Sequence, residues 1–176
     1  KDCDKRTVLH YLAKGISEKP DAANILLPLL SELTTQENVN AKDCDQRTAL
    51  HYLAKGISEK PDAADKLSQF ISDHTTSGNV RAKDCNWRTI LHYLSMGISK
   101  EPDAAYKLLP LIQYFATREI VKARDCDGRN VLHYLAKGIT VKPDAAYEFL
   151  PLIQDFARPE NVKAEDCDRR TVLHYL

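Results

Sequence analysis

The sequence repeats itself every 41 residues without a shift in register. A fixed period of about 20–50 residues indicates a solenoid, in which each repeat stacks on the next. The chain is divided into four full repeats and the start of a fifth, 1–41, 42–82, 83–123, 124–164 and 165–176. No linker interrupts the array, so we expect a single repeat domain over residues 1–176. One cysteine and one histidine recur in every copy: Cys3, Cys44, Cys85, Cys126 and Cys167, and His10, His51, His92, His133 and His174.

Charge and hydropathy exclude several classes of partner. The chain has 25 lysine and arginine residues and 25 aspartate and glutamate residues, so its formal net charge is zero. Binders of nucleic acid or of membrane surfaces need a basic excess, and neither partner is expected. No apolar run approaches the roughly 18 residues needed to span a bilayer. Neither end has the polar face that caps a solenoid, so we expect a window of a longer array or a unit that stacks end to end.

The cysteines are odd in number and occur once per repeat. Stacked helices lie roughly 10 Å apart, whereas a disulfide needs Cα atoms within about 7 Å. We therefore expect reduced thiols in an intracellular, cytoplasmic protein, or in one delivered into a host cell if it is an effector. The favoured interpretation is a small, half-buried side chain that packs the turn. The alternative is a row of exposed thiols, which would need a nearby positive charge to become reactive.

The first half of each repeat predicts a short helix. Thr7 is a good N-cap, and apolar residues follow it at helical spacing. Gly15, which recurs in all four full repeats, is expected just after the helix, where a glycine tolerates a left-handed backbone. Residues 16–20 are then predicted to be a connecting loop.

A second helix is expected after Asp21, its predicted N-cap. Pro28 interrupts the pattern, and Pro110 and Pro151 hold the same phase, whereas the second repeat has Gln69 there. An interior proline removes a hydrogen bond and clashes with the preceding turn. We predict a kink or a break in three of the second helices and a continuous helix in the second repeat.

Residues 38–51, with the sequence NVNAKDCDQRTALH, resemble the ankyrin repeat. That family has a hairpin loop of the type N-A-x-D-x-x-G-x-T-P-L-H, followed by two antiparallel helices. The Thr-x-Leu-His signal recurs in four of the five copies, and the fourth copy has Asn130 in place of threonine. The resemblance covers the whole chain and implies an all-α solenoid of ankyrin-like helix-turn-helix repeats joined by hairpin-like loops.

The sequence departs from the family in its period and in its turn. The period is 41 residues rather than about 33, and the extra residues lie between the first helix and the next loop. The family's turn glycine survives only at Gly128, and the proline of T-P-L-H is replaced in every copy. We therefore expect turns less regular than the family norm. An armadillo or HEAT solenoid, which has the right period, is the second interpretation.

The resemblance also assigns structural residues. In the family the histidine is buried between repeats and hydrogen-bonds the threonine hydroxyl and nearby backbone. Asp2 and Arg6, which recur in all copies, are interpreted as a turn-stabilising carboxylate and an exposed cation, or as a charged stripe for a partner. No catalytic, metal-binding or cofactor-binding residue is predicted, because a histidine and a cysteine at solenoid spacing do not converge on a metal. The structural set is Thr7, His10, Thr48, His51, Thr89, His92, His133, Thr171 and His174.

The third repeat departs from its neighbours at two positions that the resemblance places on the concave side. Trp87 replaces a polar or glycine turn residue, and Met96 replaces a lysine of the first helix. Together they predict an exposed apolar patch beside Arg88, with Trp and Arg being residues enriched at binding hot spots. The alternative is drift, or packing of Trp87 onto a neighbouring loop. The predicted protein-binding residues are Trp87, Arg88, Met96, Lys55 and Lys137.

The leading hypothesis is a non-enzymatic protein–protein interaction scaffold that binds its partner on the hairpin and first-helix face. One alternative is self-association into a filament or lattice through uncapped ends, because a uniform repeated surface suits a repeated partner. Another is the recognition arm of a larger enzyme or effector. No phosphate loop, nucleophile elbow or metal motif occurs in the sequence.

Overall fold

Helices account for the regular structure of residues 2–176, the part of the chain that the computed structural model describes. The main helices come in pairs, and each has 11 residues. A single 3₁₀ turn separates the two helices of a pair: Pro20–Ala22, Pro61–Ala63, Pro102–Ala104 and Pro143–Ala145, with a further 3₁₀ turn at Val172–Tyr175. The helices are α1 (Val8–Glu18), α2 (Ala23–Leu33), α3 (Ala49–Glu59), α4 (Ala64–His74), α5 (Ile90–Lys100), α6 (Ala105–Phe115), α7 (Arg118–Val121), α8 (Val131–Val141), α9 (Ala146–Phe156) and α10 (Pro159–Val162).

The paired helices form two stacked layers. The first helices α1, α3, α5 and α8 pack side by side in chain order, and α8 also packs on the final 3₁₀ turn. The second helices α2, α4, α6 and α9 form the other layer, each packed on the first helix of its own repeat. One hydrophobic core runs between the layers through successive repeats. The predicted all-α solenoid of helix-turn-helix units is confirmed.

The prediction that Gly15 follows the first helix is wrong. Helix α1 continues through Gly15 to Glu18, so the residues predicted as a loop complete its last turn. The glycine of this phase is needed for close approach between neighbouring helices. A Cβ atom on Gly56 would lie 2.7 Å from Cα of Ser17, and one on Gly97 would lie 2.9 Å from Cα of Ser58. The recurring glycine therefore sets the distance between the first helices of adjacent repeats.

Asp21 is not an N-cap. It lies inside the 3₁₀ turn Pro20–Ala22, and α2 begins at Ala23, with Ala22 at the N-cap position and no capping side chain. Proline fixes φ near the value that the first residue of such a turn requires, which explains why the turn begins there. The same Pro-Asp-Ala turn stands before each of the other second helices.

The prolines do not break the second helices, which corrects the prediction of broken helices. Helix α2 runs unbroken across Pro28, and α6 and α9 run across Pro110 and Pro151 with the same length as the proline-free α4. All three prolines are exposed, and so is Asn24, whose carbonyl loses its helical partner to Pro28. Water can hydrogen-bond a carbonyl on this side of the helix, so the lost bond is not left unpaired in the core.

Candidate functional site

Each repeat has near its start a turn that runs from the recurring aspartate to the recurring arginine, residues 43–47 in the second repeat. These turns share one backbone conformation. The fourth residue of each turn has positive φ, between 59° and 61° at Lys5, Gln46, Trp87 and Arg169 and 78° at Gly128. In the second repeat the N–H of Gln46 donates to the carbonyl of Asp43, and the N–H of Asp43 donates to the carbonyl of Arg47. The five turns are therefore alike in conformation along the chain. Side chains other than glycine occupy the left-handed position, at a cost of about 1–2 kcal/mol each.

Neighbouring turns are joined by one backbone hydrogen bond per repeat. The N–H of Cys44 donates to the carbonyl of Asp4 at 2.8 Å, and the N–H of Cys85 donates to that of Asp45 at 2.8 Å. The cysteine side chains themselves are exposed and free, so the favoured half-buried interpretation is wrong. Desolvation and the carboxylate of Asp45 raise the pKa of the Cys44 thiol. A raised pKa lowers the thiolate fraction and argues against a reactive cysteine.

A buried aspartate holds each turn together from the second repeat onward. In the third repeat Oδ1 of Asp84 accepts the backbone N–H groups of Asn86 and Arg88, each at 2.9 Å. Its Oδ2 accepts the hydroxyl of Tyr93 at 2.6 Å. The same tyrosine-to-aspartate bond joins Tyr52 to Asp43, Tyr134 to Asp125 and Tyr175 to Asp166.

The recurring arginine links each turn to the next one. Nε of Arg47 lies 3.7 Å from Oδ2 of Asp84, whose side chain is fully buried. Nε of Arg88 lies 4.0 Å from Oδ2 of Asp125. The prediction of an exposed cation is therefore wrong for this position, since the Arg88 side chain is mostly covered and faces a buried carboxylate. The neighbouring carboxylate holds the guanidinium inside the stack, because breaking a buried ion pair would leave a charge unpaired.

The histidines form the second set of links between repeats. Nδ1 of His92 accepts the backbone N–H of Thr89 at 3.1 Å and lies 2.9 Å from the Thr89 hydroxyl oxygen. Because Nδ1 accepts a backbone N–H, the proton of the neutral ring is on Nε2, which donates to the carbonyl of Arg129 at 3.2 Å. The threonine-to-histidine contact recurs from Thr7 to His10, from Thr48 to His51 and from Thr171 to His174, and Asn130 replaces the threonine beside His133.

Burial favours the neutral form of these rings. It lowers the pKa of His92 to about 4, and it lowers the pKa of His51 and His133 as well. Two of the partners of His92, the Thr89 N–H and its hydroxyl, stand where a second ring proton would point. The rings of His51 and His92 are therefore hydrogen-bonded through both nitrogens inside the stack, and neither is free to act as a base.

The first helices of the inner repeats leave few side chains exposed. Helix α5 buries nine of its 11 residues, and Met96 and Lys100 are the two that are not buried. Met96 is half-buried, Lys55 is half-buried and paired with Glu59 at 3.8 Å, and Lys137 is exposed. These positions are 41 residues apart and form a single row along the stacked helices.

Trp87 is the most exposed aromatic side chain of the turns, with 60% of its surface accessible. It lines an open groove of about 500 Å³, here called the Trp87 groove. The ammonium of Lys83 lies 5.5 Å from the centre of the indole ring. Met96 is not part of the wall, so the structure does not bring Trp87 and Met96 into one pocket. The groove is lined by Arg81, Lys83, Trp87, Thr89, Glu119, Ile120, Lys122, Ala123 and Arg124.

Two features of this region were not predicted from the sequence. A tyrosine stands nine residues after the turn aspartate in every copy, and this fixed spacing was the signal for their hydrogen bond. Four basic residues that flank Trp87 in the fold are spread over more than 40 positions of the chain, so no local charge run reveals them. They are Arg81, Lys83, Lys122 and Arg124.

Comparison with known proteins decides the fold family. No protein-family model and no curated protein matches the sequence. Among solved structures the chain is similar to the ankyrin-repeat fragment of S. cerevisiae Swi6, with a TM-score of 0.66. The match covers 99% of this chain and 71% of that chain at 15% sequence identity.

The chain has an ankyrin-repeat fold. The ankyrin-like turn retains its left-handed residue in all five copies, although glycine fills the position only at Gly128. Within residues 2–176, no helix of this ankyrin-repeat array is long and apolar enough to cross a membrane. The same described residues contain no cluster of three or more histidine, cysteine, aspartate or glutamate side chains suited to a metal ion.

Proposed function

We propose that this ankyrin-repeat array is a non-enzymatic scaffold that binds a protein partner on the face formed by its turns and by the exposed row of its first helices. The observation that carries the proposal is the exposed indole of Trp87, which the turn does not need for its own structure. Gln46 holds the equivalent place in the second repeat with φ of 60°, against 61° for Trp87. The two turns are the same and their exposed side chains differ.

The polar side chains of the array are occupied by the fold, which supports a binding role rather than a catalytic one. The Thr89 hydroxyl contacts His92, the Asp84 carboxylate accepts three hydrogen bonds, and Arg88 faces a buried carboxylate. General acid–base or nucleophilic catalysis requires a group that can reach a substrate and change its protonation state. The recurring threonine, aspartate and histidine side chains of the inner repeats are buried here as links between repeats. The cysteines are exposed, but the pKa of the Cys44 thiol is raised, which disfavours the nucleophilic thiolate.

Exposed tryptophan at a rigid position is a typical binding hot spot. A tryptophan buries a large area on binding and loses little conformational entropy, because the ring has only two side-chain torsions. The turn that carries Trp87 is fixed by Asp84 and by the bond from Cys85 to Asp45, so the ring is presented from an ordered backbone. We propose that Met96, Lys55 and Lys137 extend the same face along the first helices.

Affinity capture with matched variants tests the proposal. The array is immobilised as wild type, as Trp87→Gln and as Gln46→Ala, and exposed to lysate of cells of the protein's own origin. Trp87→Gln installs the side chain that the second repeat already carries at the same φ, so its turn is expected to fold. We expect proteins that are retained by the wild type and by Gln46→Ala and lost from Trp87→Gln. Identical protein sets on all three matrices would overturn the proposal.

Affinity for a captured partner gives the magnitude. Trp87→Ala is expected to weaken binding by more than about 1 kcal/mol, or about fivefold in Kd, because the indole surface is lost. Circular dichroism melting should show that the variant remains folded. Light scattering of the free protein separates this proposal from self-assembly, since a filament or lattice grows with concentration and a scaffold without partner does not.

A further inference from the structure

The Trp87 groove combines an apolar floor with a basic rim. Trp87 and the half-buried Ala123 supply apolar surface, and the buried Ile120 is also part of the lining. Four of the lining residues are cations, against the single carboxylate of Glu119. Arg81 belongs to the second repeat, Lys83 and Lys122 to the third and Arg124 to the fourth, so the groove lies where successive repeats meet. The chain as a whole is neutral, so this local excess of positive charge is a property of the groove.

Three of the four cations lack a carboxylate partner. Arg81 pairs with Glu119 at 2.7 Å. Among residues 2–176, no carboxylate oxygen lies within 4 Å of the cationic nitrogens of Lys83, Lys122 and Arg124. Lys83 donates one hydrogen bond to the carbonyl of Arg124 at 3.1 Å, and Nε of Arg124 donates to the carbonyl of Gly128 at 2.8 Å. An ammonium carries three donors and a guanidinium five, so both side chains keep donors for a ligand.

The corresponding position of the second repeat keeps most of the cations and lacks the apolar floor. Lys42, Arg81 and Lys83 stand there at the phases of Lys83, Lys122 and Arg124. Its turn carries Gln46 where the third carries Trp87. Asn40 stands at the phase of Arg81, and Gly78 stands at the phase of Glu119. Basic residues therefore recur at these phases along the array, and the apolar floor of Trp87 and Ile120, which replace Gln46 and Asn79 of the second repeat, is what distinguishes the Trp87 groove.

We propose that the Trp87 groove binds a short acidic peptide segment of a protein partner, with one apolar or aromatic side chain of the peptide packed on the Trp87 indole. Carboxylates on either side of that residue pair with Lys83, Lys122 and Arg124. This inference rests on the proposed scaffold function and specifies the chemistry of its partner. A groove of about 500 Å³ is in the size range of small ligand sites, roughly 300–1,000 Å³, so it accommodates a few side chains and not a folded domain.

Charge complementarity favours a peptide over a nucleic acid. Single-stranded nucleic acid is bound in long basic grooves with several aromatic rings that stack on successive bases. Trp87 is the only tryptophan of the chain and the only aromatic residue of the groove. Glu119 stands in the wall, where it would repel a phosphate backbone, whereas a peptide can place a neutral or amide group beside it.

Because Trp87 is the only tryptophan, its fluorescence reports directly on the groove. The full chain is titrated with three peptides of equal length: one built of Glu and Asp around a single Phe, its Gln and Asn counterpart with the same Phe, and the acidic peptide with Ala in place of Phe. We expect the first to saturate and to bind at least about tenfold more tightly than either of the others, since both charge and apolar contact are required. Oligothymidylate of similar length is the nucleic-acid probe.

A pair of charge reversals provides the matched control. Lys122 and Lys163 hold the same phase, each at the C-cap of a short helix with nearly the same backbone angles, and only Lys122 lines the groove. Lys122→Glu is expected to weaken binding of the acidic peptide by about fivefold or more, and Lys163→Glu to leave it within about twofold. Thermal melting of both variants checks that neither unfolds.

Four results would overturn the proposal: equal affinity for the neutral peptide, no saturation by the acidic one, tighter binding of oligothymidylate, or equal effects of the two charge reversals. The scaffold function is judged separately. If captured partners are lost from Trp87→Gln but retained by Lys122→Glu, the scaffold stands and the acidic-peptide inference fails. If no partner depends on Trp87, the scaffold proposal fails whatever the peptides do.

Discussion

The turns of the second and third repeats have the same internal structure and different surfaces. In both, a buried aspartate accepts the backbone N–H of the arginine four residues later, at 2.9 Å from Asp43 and from Asp84. Both present the residue before that arginine at φ near 60°. That residue is Gln46 in one turn and Trp87 in the other. The hydrogen-bonded framework is therefore independent of the side chain that the turn presents to solvent.

This separation explains why the first half of the repeat changes little along the chain. The aspartate, arginine, threonine, histidine and tyrosine of each copy bond to one another or to the next repeat, so a change in one copy disturbs its neighbour. The exposed turn residue has no such bonds. Four predictions test the hydrogen-bonded framework, in order of decreasing expected effect on stability.

Asp84→Ala should have the largest effect on stability. It leaves the Tyr93 hydroxyl, two backbone N–H groups and the Arg47 guanidinium without their buried acceptor, at a cost of about 3–5 kcal/mol. Asp45→Ala is the control, because that carboxylate is 40% exposed and its ion pair with Arg47 is worth about 0–1 kcal/mol. Urea unfolding of the two variants measures the difference in their free energies of unfolding. Similar losses would show that the buried Asp84 carboxylate contributes no more to stability than the exposed Asp45 carboxylate.

Acid should weaken the stack through its histidines. The folded pKa of His92 is about 4, below the unfolded value of about 6.5. As pH falls through 6.5 the unfolded chain binds a proton that the folded His92 ring refuses, so through His92 the free energy of unfolding falls by up to about 1.4 kcal/mol per pH unit. From pH 7 to pH 5 the share of His92 is about 2 kcal/mol. His92→Gln, which can still accept the Thr89 N–H, should flatten the pH profile by that amount, and an unchanged profile would contradict the assignment.

Gly56→Ala should destabilise the array by about 1–2 kcal/mol, because a Cβ 2.7 Å from Cα of Ser17 forces α1 and α3 apart. Gly15→Ala is the matched control in the same helical phase. Its Cβ would meet only Leu26, at 3.5 Å, so the better helix propensity of alanine should stabilise it by about 0.5–1 kcal/mol. Opposite signs in thermal melting are expected, and equal shifts would exclude the close-packing explanation.

Exchange of residues at the left-handed turn position should give the smallest effects. Gln46→Gly relieves backbone strain and should stabilise by up to about 1 kcal/mol after the entropy of glycine is counted. Gly128→Ala introduces that strain and brings a Cβ within 3.1 Å of the Asp166 and Glu165 backbone, so it should destabilise. A stability loss for Gln46→Gly would show that the Gln46 side chain contributes to the framework.

The fold was predictable because its signals are local and repeated. The Thr-x-Leu-His string and the 41-residue period predict stacked helix-turn-helix units, and the structure has them. The prediction that Gly15 follows the end of the first helix failed because a glycine can either end a helix or let a neighbouring helix approach closely. Only the packing of the adjacent repeat distinguishes these two roles. The prediction that Pro28 breaks its helix failed for a related reason. Whether an interior proline breaks a helix depends on solvent access to the carbonyl that the proline leaves unpaired.

The candidate site was only partly predictable. The single tryptophan of the chain draws attention in the sequence, and the structure places it exposed at a turn. Arg88 was predicted as part of the same surface, yet its true neighbour is Asp125 in the next repeat, 37 positions away. The basic rim was not predicted, because Lys83 and Lys122 are 39 positions apart in the chain and come together only in the folded array.

The most direct test of the account measures partner affinity and thermal stability on the same three proteins: wild type, Trp87→Gln and Gln46→Ala. The account predicts that Trp87→Gln weakens binding of a captured partner by about fivefold or more while its stability stays within about 0.5 kcal/mol of wild type. Gln46→Ala should change neither. Equal affinities for wild type and Trp87→Gln, or a loss of binding that simply follows a loss of stability, would contradict the claim that the third turn carries the function on a shared framework.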